Sequence, residues 1–311
     1  MGPDLLRQVL RFGQLHDAWD NVRENNGMAG GDGVTLARFR HRLDEELLGL
    51  IDEVQSGDYR PGPARRVHLR TGGKIRTLTV PPVRDRVLQR AVLDVLTPRI
   101  DPHFLHCSYG YRPGRSLQGA VQRIVTLRDR GLTAIVDADI RNCFGTLDHR
   151  MLAEAVARHV PDLPLRELIA LWYLPAPGVL RPNPRPSRGI ELGAPISPLL
   201  CNIYLHQLDT SLIKRRLHLV RYADDFVVAC RSPEEAERAL RTVEKTLRGI
   251  RLAPNPAKTR LTSFEEGFTF LGVHFVGEGL WFEHRGMRIE IERTLPPDFP
   301  DWPTPYDNRW R

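Results

Sequence analysis

Residues 217–230 constrain this chain more than any other stretch. Residues 217–222 and 226–230 are apolar, β-prone runs that read as two strands around an acidic tip, Asp224-Asp225. Adjacent like charges repel, and nothing about strand stability calls for them. Turn preferences alone would accept aspartate there. A third carboxylate changes the weighing. Residues 133–140 form a short β-rich run that reads as a core strand, and Asp137 and Asp139 lie near its end. A strand-end Asp together with a hairpin-tip pair is what two-metal phosphoryl transfer needs. Hard Mg²⁺ takes carboxylate oxygens, and two ions clamp the attacking and leaving oxygens.

Composition narrows the class. With 41% hydrophobic and 27% charged residues among 311, the chain can bury a sizeable core and is too apolar for disorder. Its 45 Lys+Arg against 38 Asp+Glu give a formal charge of +7. Arginine far outnumbers lysine, which favours a polyanionic partner and phosphate forks. Cys107, Cys143, Cys201 and Cys230 stand far apart without a C-x-x-C pair, so neither a zinc site nor a disulfide framework is signalled. A reducing compartment is expected. Asp4, Arg7 and Arg11 leave no signal-peptide core, and the longest uncharged apolar stretch, residues 192–205, is too short to span a bilayer. A cytoplasmic protein with no membrane role is the expectation.

Coarse organisation follows from periodicity and punctuation. An amphipathic region, residues 5–54, is broken by a Gly-rich turn at residues 27–33. A very basic stretch follows, in which two runs flanking Gly72-Gly73 predict a β-hairpin. Val83, Val87, Leu88, Ala91, Val92 and Val95 repeat at helical spacing. Asp148 is an N-cap candidate, residues 175–186 read as a Pro-rich loop, and Ser197-Pro198 opens an apolar helix to about Ile213. Ser232-Pro233 starts a capped helix whose apolar face is Ala236, Ala239, Leu240, Val243 and Leu247. Residues 268–275 predict a last strand pair containing Gly272, and no structure is assigned from Pro296 onward.

Several motifs occur in a telling order. Gly31-Asp32-Gly33 comes first, then residues 81–89, then Ser108-Tyr109-Gly110-Tyr111-Arg112-Pro113-Gly114-Arg115-Ser116. Asp139 with Phe144 five residues on, Gly193-Ala194-Pro195-Ile196-Ser197-Pro198, Tyr222-Ala223-Asp224-Asp225, Lys258 and Phe270-Leu271-Gly272 complete the series. This order resembles reverse transcriptases of the group II intron type over roughly residues 25–276.

The resemblance implies a function and a set of sites. The activity would be RNA-directed DNA polymerisation with two Mg²⁺ ions, for which Mn²⁺ can substitute. Asp139, Asp224 and Asp225 would be catalytic, and Asp139, Ile140, Asp224 and Asp225 would form the metal set. Asp137 competes with Asp139, because alternation puts both on one strand face; the aromatic five residues on favours Asp139. Phe144 resembles the steric gate against a 2′-OH, with core packing as the bland explanation. Arg70 and Arg76, bracketing the Gly-Gly turn, would close on the incoming triphosphate, and Lys258 would approach the leaving pyrophosphate. Leu192 and Gly193 fall at the nucleotide, with Leu192 standing where the family usually has Gln. Gly145 stands where Asp is commoner. Arg112 and Arg115 look like template-phosphate contacts, and Phe270, Leu271 and Gly272 like the primer-grip turn.

The implied fold is α+β, a right-hand polymerase with fingers and palm and with the thumb absent or minimal. Residues 1–58 would be an N-terminal extension and helical fingers, 59–132 fingers, 133–276 palm, and 277–311 a short C-terminal tail suited to docking a partner. The short C-terminus and the lead-in at residues 262–268 look most like the CRISPR-associated branch of prokaryotic enzymes. Its partners would be an RNA template, a DNA or RNA primer, dNTPs and a CRISPR adaptation integrase complex. Two alternatives are a defence-type enzyme making DNA without a template and a non-catalytic palm that only binds nucleic acid.

Overall fold

The helical periodicity of residues 83–95 is realised in the helix Val83–Ile100, where Val83, Val87, Leu88, Ala91, Val92 and Val95 are all buried. Burial extends beyond one stripe. Asp85, Arg86 and Gln89 are enclosed as well, as befits a central helix rather than a surface one. In this computed structural model residues 4–71, 74–174, 187–284 and 286–291 are described, residues 71 and 74–76 by their main chain alone. The Gly72-Gly73 turn, the Pro-rich loop and the segment from Pro296 lie outside them.

The chain divides into two compact units. The first holds the residues up to Pro102 and Phe144–Tyr204. Helices Leu5–Val9, Phe12–Glu24, Leu36–His41 and Leu43–Ser56 pack on Val83–Ile100, burying Leu15, Trp19, Phe39, Leu47 and Leu50. Each such side chain contributes about 1.5–3 kcal/mol on burial. Two of these groups are tied down by hydrogen bonds: Asp85 accepts from Tyr59 Oη and from the Gly62 N–H, both at 2.8 Å, and Arg86 donates to the Met28 carbonyl at 2.7 Å. Glycine is needed where the Gly-rich turn of residues 27–33 meets the start of this helix, since a Cβ on Gly30 would lie 2.5 Å from Pro82 N. Strands β1 (Arg65–Thr71) and β2 (Lys74–Val80) form the predicted antiparallel hairpin, Arg65 opposite Val80. Asp148 caps the helix His149–His159 as predicted, Oδ1 accepting from Met151 N at 3.1 Å.

The second unit holds His103–Cys143 and the described residues from Leu205 onward. Strands β3 (Ala134–Asp139), β4 (His218–Tyr222), β5 (Asp225–Cys230) and β6 (Arg260–Ser263) form an antiparallel sheet in the order β4-β5-β3-β6. Helices Leu117–Asp129 and Pro233–Gly249 pack on it, the latter capped by Ser232 and burying Ala236, Ala239, Val243 and Leu247. The hairpin tip differs from expectation. Asp225 is the first rung of β5, opposite Tyr222, so the turn is Ala223-Asp224 rather than the acidic pair. An added rung satisfies main-chain groups that a wider turn would leave open.

A second sheet, in the order β10-β9-β8-β7, joins β7 (Phe268–Phe270), β8 (Val273–Val276), β9 (Gly279–His284) and β10 (Met287–Glu290). The last two strands were not expected in a segment read as tail. Their signal is only two buried residues in alternation, Leu280 and Phe282. Phe268 and Phe275 face each other across one rung and stack at 4.8 Å, with Phe264 edge-on to both. No helix among the described residues is long and apolar enough to cross a membrane.

Candidate active site

Strand register brings the carboxylates together. Asp139 ends β3 directly opposite Asp225 on β5. Ile140 N donates to the Asp224 carbonyl at 3.3 Å, tying the hairpin turn to the end of β3. Asp139 Oδ2 accepts from Asn255 Nδ2 at 2.9 Å and lies 3.0 Å from Lys258 Nζ. The Asn255 N–H in turn donates to the Asp139 carbonyl at 2.8 Å. Asp137, the competitor two residues earlier, pairs with Arg260 Nε at 3.1 Å. Ile140 is buried and apolar, so only its main-chain carbonyl offers an oxygen.

This cluster is short of positive charge. Burial, reinforced by the charges of Asp137, Asp139 and Asp224 and opposed by Lys258, pushes the Asp225 carboxyl up to about 8. Burial likewise raises Asp137, with Arg260 opposing it. The donors are hard oxygens, the chemistry a divalent cation selects, and a cation would relieve the like-charge crowding. Among the described residues no three carboxylate, histidine or cysteine side chains converge closely enough to cage an ion. The fit is therefore one of donor type and charge deficit, with Lys258 and Asn255 engaging Asp139.

What braces the turn was not anticipated from sequence. Arg221 N donates to the Cys107 carbonyl and Tyr109 N to the Arg221 carbonyl, both at 2.8 Å. A Cβ on Gly110 would lie 2.5 Å from Ala223 N, so this glycine allows the segment to lie against the turn. Ala223 itself holds φ 57°, a conformation disfavoured for side chains. The available signal was Arg221, a charge inside an apolar strand.

The first unit carries other candidate residues. Arg70 is exposed on β1 and pairs with Ile75, while Arg76 pairs with Leu69, so the two arginines occupy adjacent rungs. The Arg76 side chain lies outside the described residues. Leu192 is joined to this hairpin through its main chain, its carbonyl accepting from Thr79 N at 2.7 Å. Gly193 has φ 113°, and a Cβ there would lie 2.7 Å from Thr79 O. Phe144, in the short helix Cys143–Thr146, is only half-buried, unlike a core phenylalanine.

Against known proteins, the family model described as reverse transcriptase (RNA-dependent DNA polymerase) matches residues 68–275. The chain belongs to the reverse transcriptase family. Protein YkfC of Escherichia coli strain K12 is 33% identical over 311 aligned residues, covering 86% of this chain and 80% of that protein. The group II intron-encoded protein LtrA of Lactococcus lactis subsp. cremoris is 30% identical over 221 residues, 70% of this chain and 36% of LtrA. That likeness agrees with the group II intron-type motif order. A solved telomerase from Candida albicans, in complex with a fragment of telomeric RNA, shares the fold with TM-score 0.53 at 13% identity, over 75% of this chain and 50% of that one. A chain of a partial Cas6-RT-Cas1–Cas2 complex is 27% identical over 78% of this chain and 41% of its own length, with TM-score 0.47.

In this reverse transcriptase the expected nucleic-acid contacts divide. Arg112 is buried, and its Nη1 donates to the Leu105 and Ser108 carbonyls at 2.7 and 2.9 Å. Those donors serve the main chain of its own loop. Arg115 is exposed, its guanidinium 5.6 Å from the Tyr109 ring centre. Phe270 and Leu271 are core residues. Leu271 and Gly272, at φ 55° and 79°, make a tight two-residue hairpin turn in which only Gly272 is exposed.

Proposed function

We propose that this reverse transcriptase adds dNTPs to a primer 3′-OH by two-metal-ion phosphoryl transfer on an RNA template. Asp139, Asp224 and Asp225, with the Ile140 carbonyl, would hold Mg²⁺ or Mn²⁺. The ions would supply charge neutralisation at the reacting phosphate and activation of the attacking oxygen. The observation that carries this reading is the rung pairing Asp139 with Asp225, beside a turn that carries Asp224. Asn255 orients Asp139, and Lys258 stands beside it as the cation nearest the departing pyrophosphate. Arg70 and Arg76 hold the triphosphate, Leu192 and Gly193 border the nucleotide, and Phe144 meets its sugar. Arg115 and the Gly272 main chain contact template and primer.

The test is extension of oligo(dT) on poly(rA) with Mg²⁺ or Mn²⁺, for the native chain and for Asp139→Asn and Asp224→Asn. Extension by the native chain and its fall to background in both variants, with RNA binding retained, is the expected result. Extension surviving in either variant overturns the assignment. Template-free product would favour the defence-type reading, and RNA binding without product a non-catalytic palm.

A narrower role, copying RNA into DNA for CRISPR spacer acquisition in a prokaryotic cytoplasm, is supported by the lead-in at residues 262–268. It requires an adaptation integrase complex that binds this chain and lengthens its products. No gain on adding such a complex would remove that role and leave the polymerase.

A further inference from the structure

A cleft of about 370 Å³ opens in the second unit, lined by Arg215, Arg238, Arg241, Thr242, Lys245 and Thr246. Four cations and two hydroxyls line it, and no carboxylate does. Arg215 follows the helix Ser197–Lys214, and the other five lie on Pro233–Gly249. On that helix Arg238, Arg241 and Lys245 are spaced three and four apart and so share a face. Glu237 and Glu244 fall on the flank turned away from Thr242 and Thr246, and Glu234, one turn before Arg238, is the carboxylate on the same face as the cations.

The walls are organised before any ligand arrives. Arg215 Nη1 donates to the Ser211 carbonyl at 2.8 Å and to Ser211 Oγ at 2.6 Å. Ser211 Oγ lies 3.4 Å from Thr246 Oγ1, linking one wall to the other. The carboxylates opposing them are weakly placed: Glu237 Oε2 is 3.6 Å from Arg241 Nη1 with both side chains exposed, and Glu234, which acts on Arg238, is exposed as well. Folding does not need this arrangement, because the helix is anchored by Ala236, Ala239, Val243 and Leu247 on its other side. Clustered like charges repel in the free protein and are relieved by a polyanion.

We propose that this cleft holds the phosphodiester backbone of single-stranded RNA, as a strand contact additional to the candidate active site. Guanidinium forks and hydroxyl donors match phosphate oxygens. No aromatic side chain lines the cleft for base stacking, so the contact reads charge and not sequence. That the strand is RNA rests on the polymerase reading; that it is a polyphosphate rests on the cleft.

The test measures the affinity of the full chain for a short fluorescein-labelled single-stranded RNA across a KCl series. The triple variant Arg215→Ala/Arg238→Ala/Lys245→Ala should lower the log–log salt slope by about 2, at ~0.7 per lost contact, with an unchanged unfolding midpoint. Glu237→Gln should do the opposite and tighten binding. Unchanged slope and affinity in the triple variant overturn the proposal. So does an acidic peptide that binds the native chain and not the variant while the RNA slope stays constant. Should the triple variant misfold, Glu237→Gln decides, and no gain in affinity overturns it. The measurement needs no catalysis, so it reads the cleft even where primer extension by the native chain fails.

Discussion

The Arg221 guanidinium grips the Asp209 carboxylate with two parallel hydrogen bonds, Nε to Oδ1 at 2.7 Å and Nη2 to Oδ2 at 2.6 Å. Both side chains are fully enclosed. The same guanidinium donates to Ser108 Oγ at 2.9 Å and to the Ala223 carbonyl at 2.8 Å, one residue before Asp224. A buried pair adds little net stability against apolar replacements, but removing one partner strands a charge. Asp209→Ala should therefore cost about 3–5 kcal/mol in denaturant unfolding. Arg221→Met/Asp209→Leu should recover much of that loss and still extend primers poorly, because the Ala223 carbonyl loses its donor. Normal extension by the double variant would show that the pair serves stability alone.

Gly110→Ala tests the other side of the same brace. The new Cβ would sit 2.5 Å from Ala223 N, a contact that main chain cannot yield to without moving the turn. Extension should fall at least tenfold while far-ultraviolet circular dichroism stays native. Full activity would mean that the Tyr109-Gly110 segment shifts freely.

Arg112 and Arg115 should part company on substitution. Arg115→Ala should flatten the salt dependence of RNA binding by ~0.7 in log–log slope and leave stability unchanged. Arg112→Ala removes donors from enclosed carbonyls and should cost about 1–3 kcal/mol of stability. Thermal unfolding and fluorescence titration of each variant give both numbers, and the reverse ranking would assign Arg112 to the template.

Phe144→Ala should raise ribonucleotide incorporation relative to deoxyribonucleotide incorporation, since the 2′-OH is the only difference at the sugar. The half-buried ring has little core to lose, so the unfolding midpoint should move little. An unchanged ratio with a lowered midpoint would make Phe144 a packing residue.

His206 supplies a pH dependence. Burial holds its imidazole below the usual value of 6.5; Arg221, His103 and Arg112 act in the same direction and Asp209 opposes them. The unfolded chain then takes up the proton first as pH falls past 6.5, so this contribution to stability is present above that pH and is lost below it. His206→Phe, which keeps a ring beside Phe104, should reduce the loss of urea stability between about pH 7.5 and about pH 5.5. An equal loss in both proteins would place the titration elsewhere.

Local signals were enough for much of this protein. Period-2 runs, the caps Asp148 and Ser232, and the helical spacing from Val83 to Val95 act within a few residues, so they are readable from the chain alone. The order of the motifs likewise led to the polymerase family. Asp139 and Asp225 are legible as carboxylates; that they share one rung is not, because strand register depends on pairing between segments distant in sequence. The same limit hid Asn255 beside Asp139, the Arg221–Asp209 pair and the strands β9 and β10. It also gave no sign that Arg112 is buried and left Asp137 and Asp139 in competition. Whether an arginine meets solvent or its own loop's carbonyls, and whether an aspartate faces Arg260 or Lys258, is decided by burial and register. Both arise only when the whole sheet assembles.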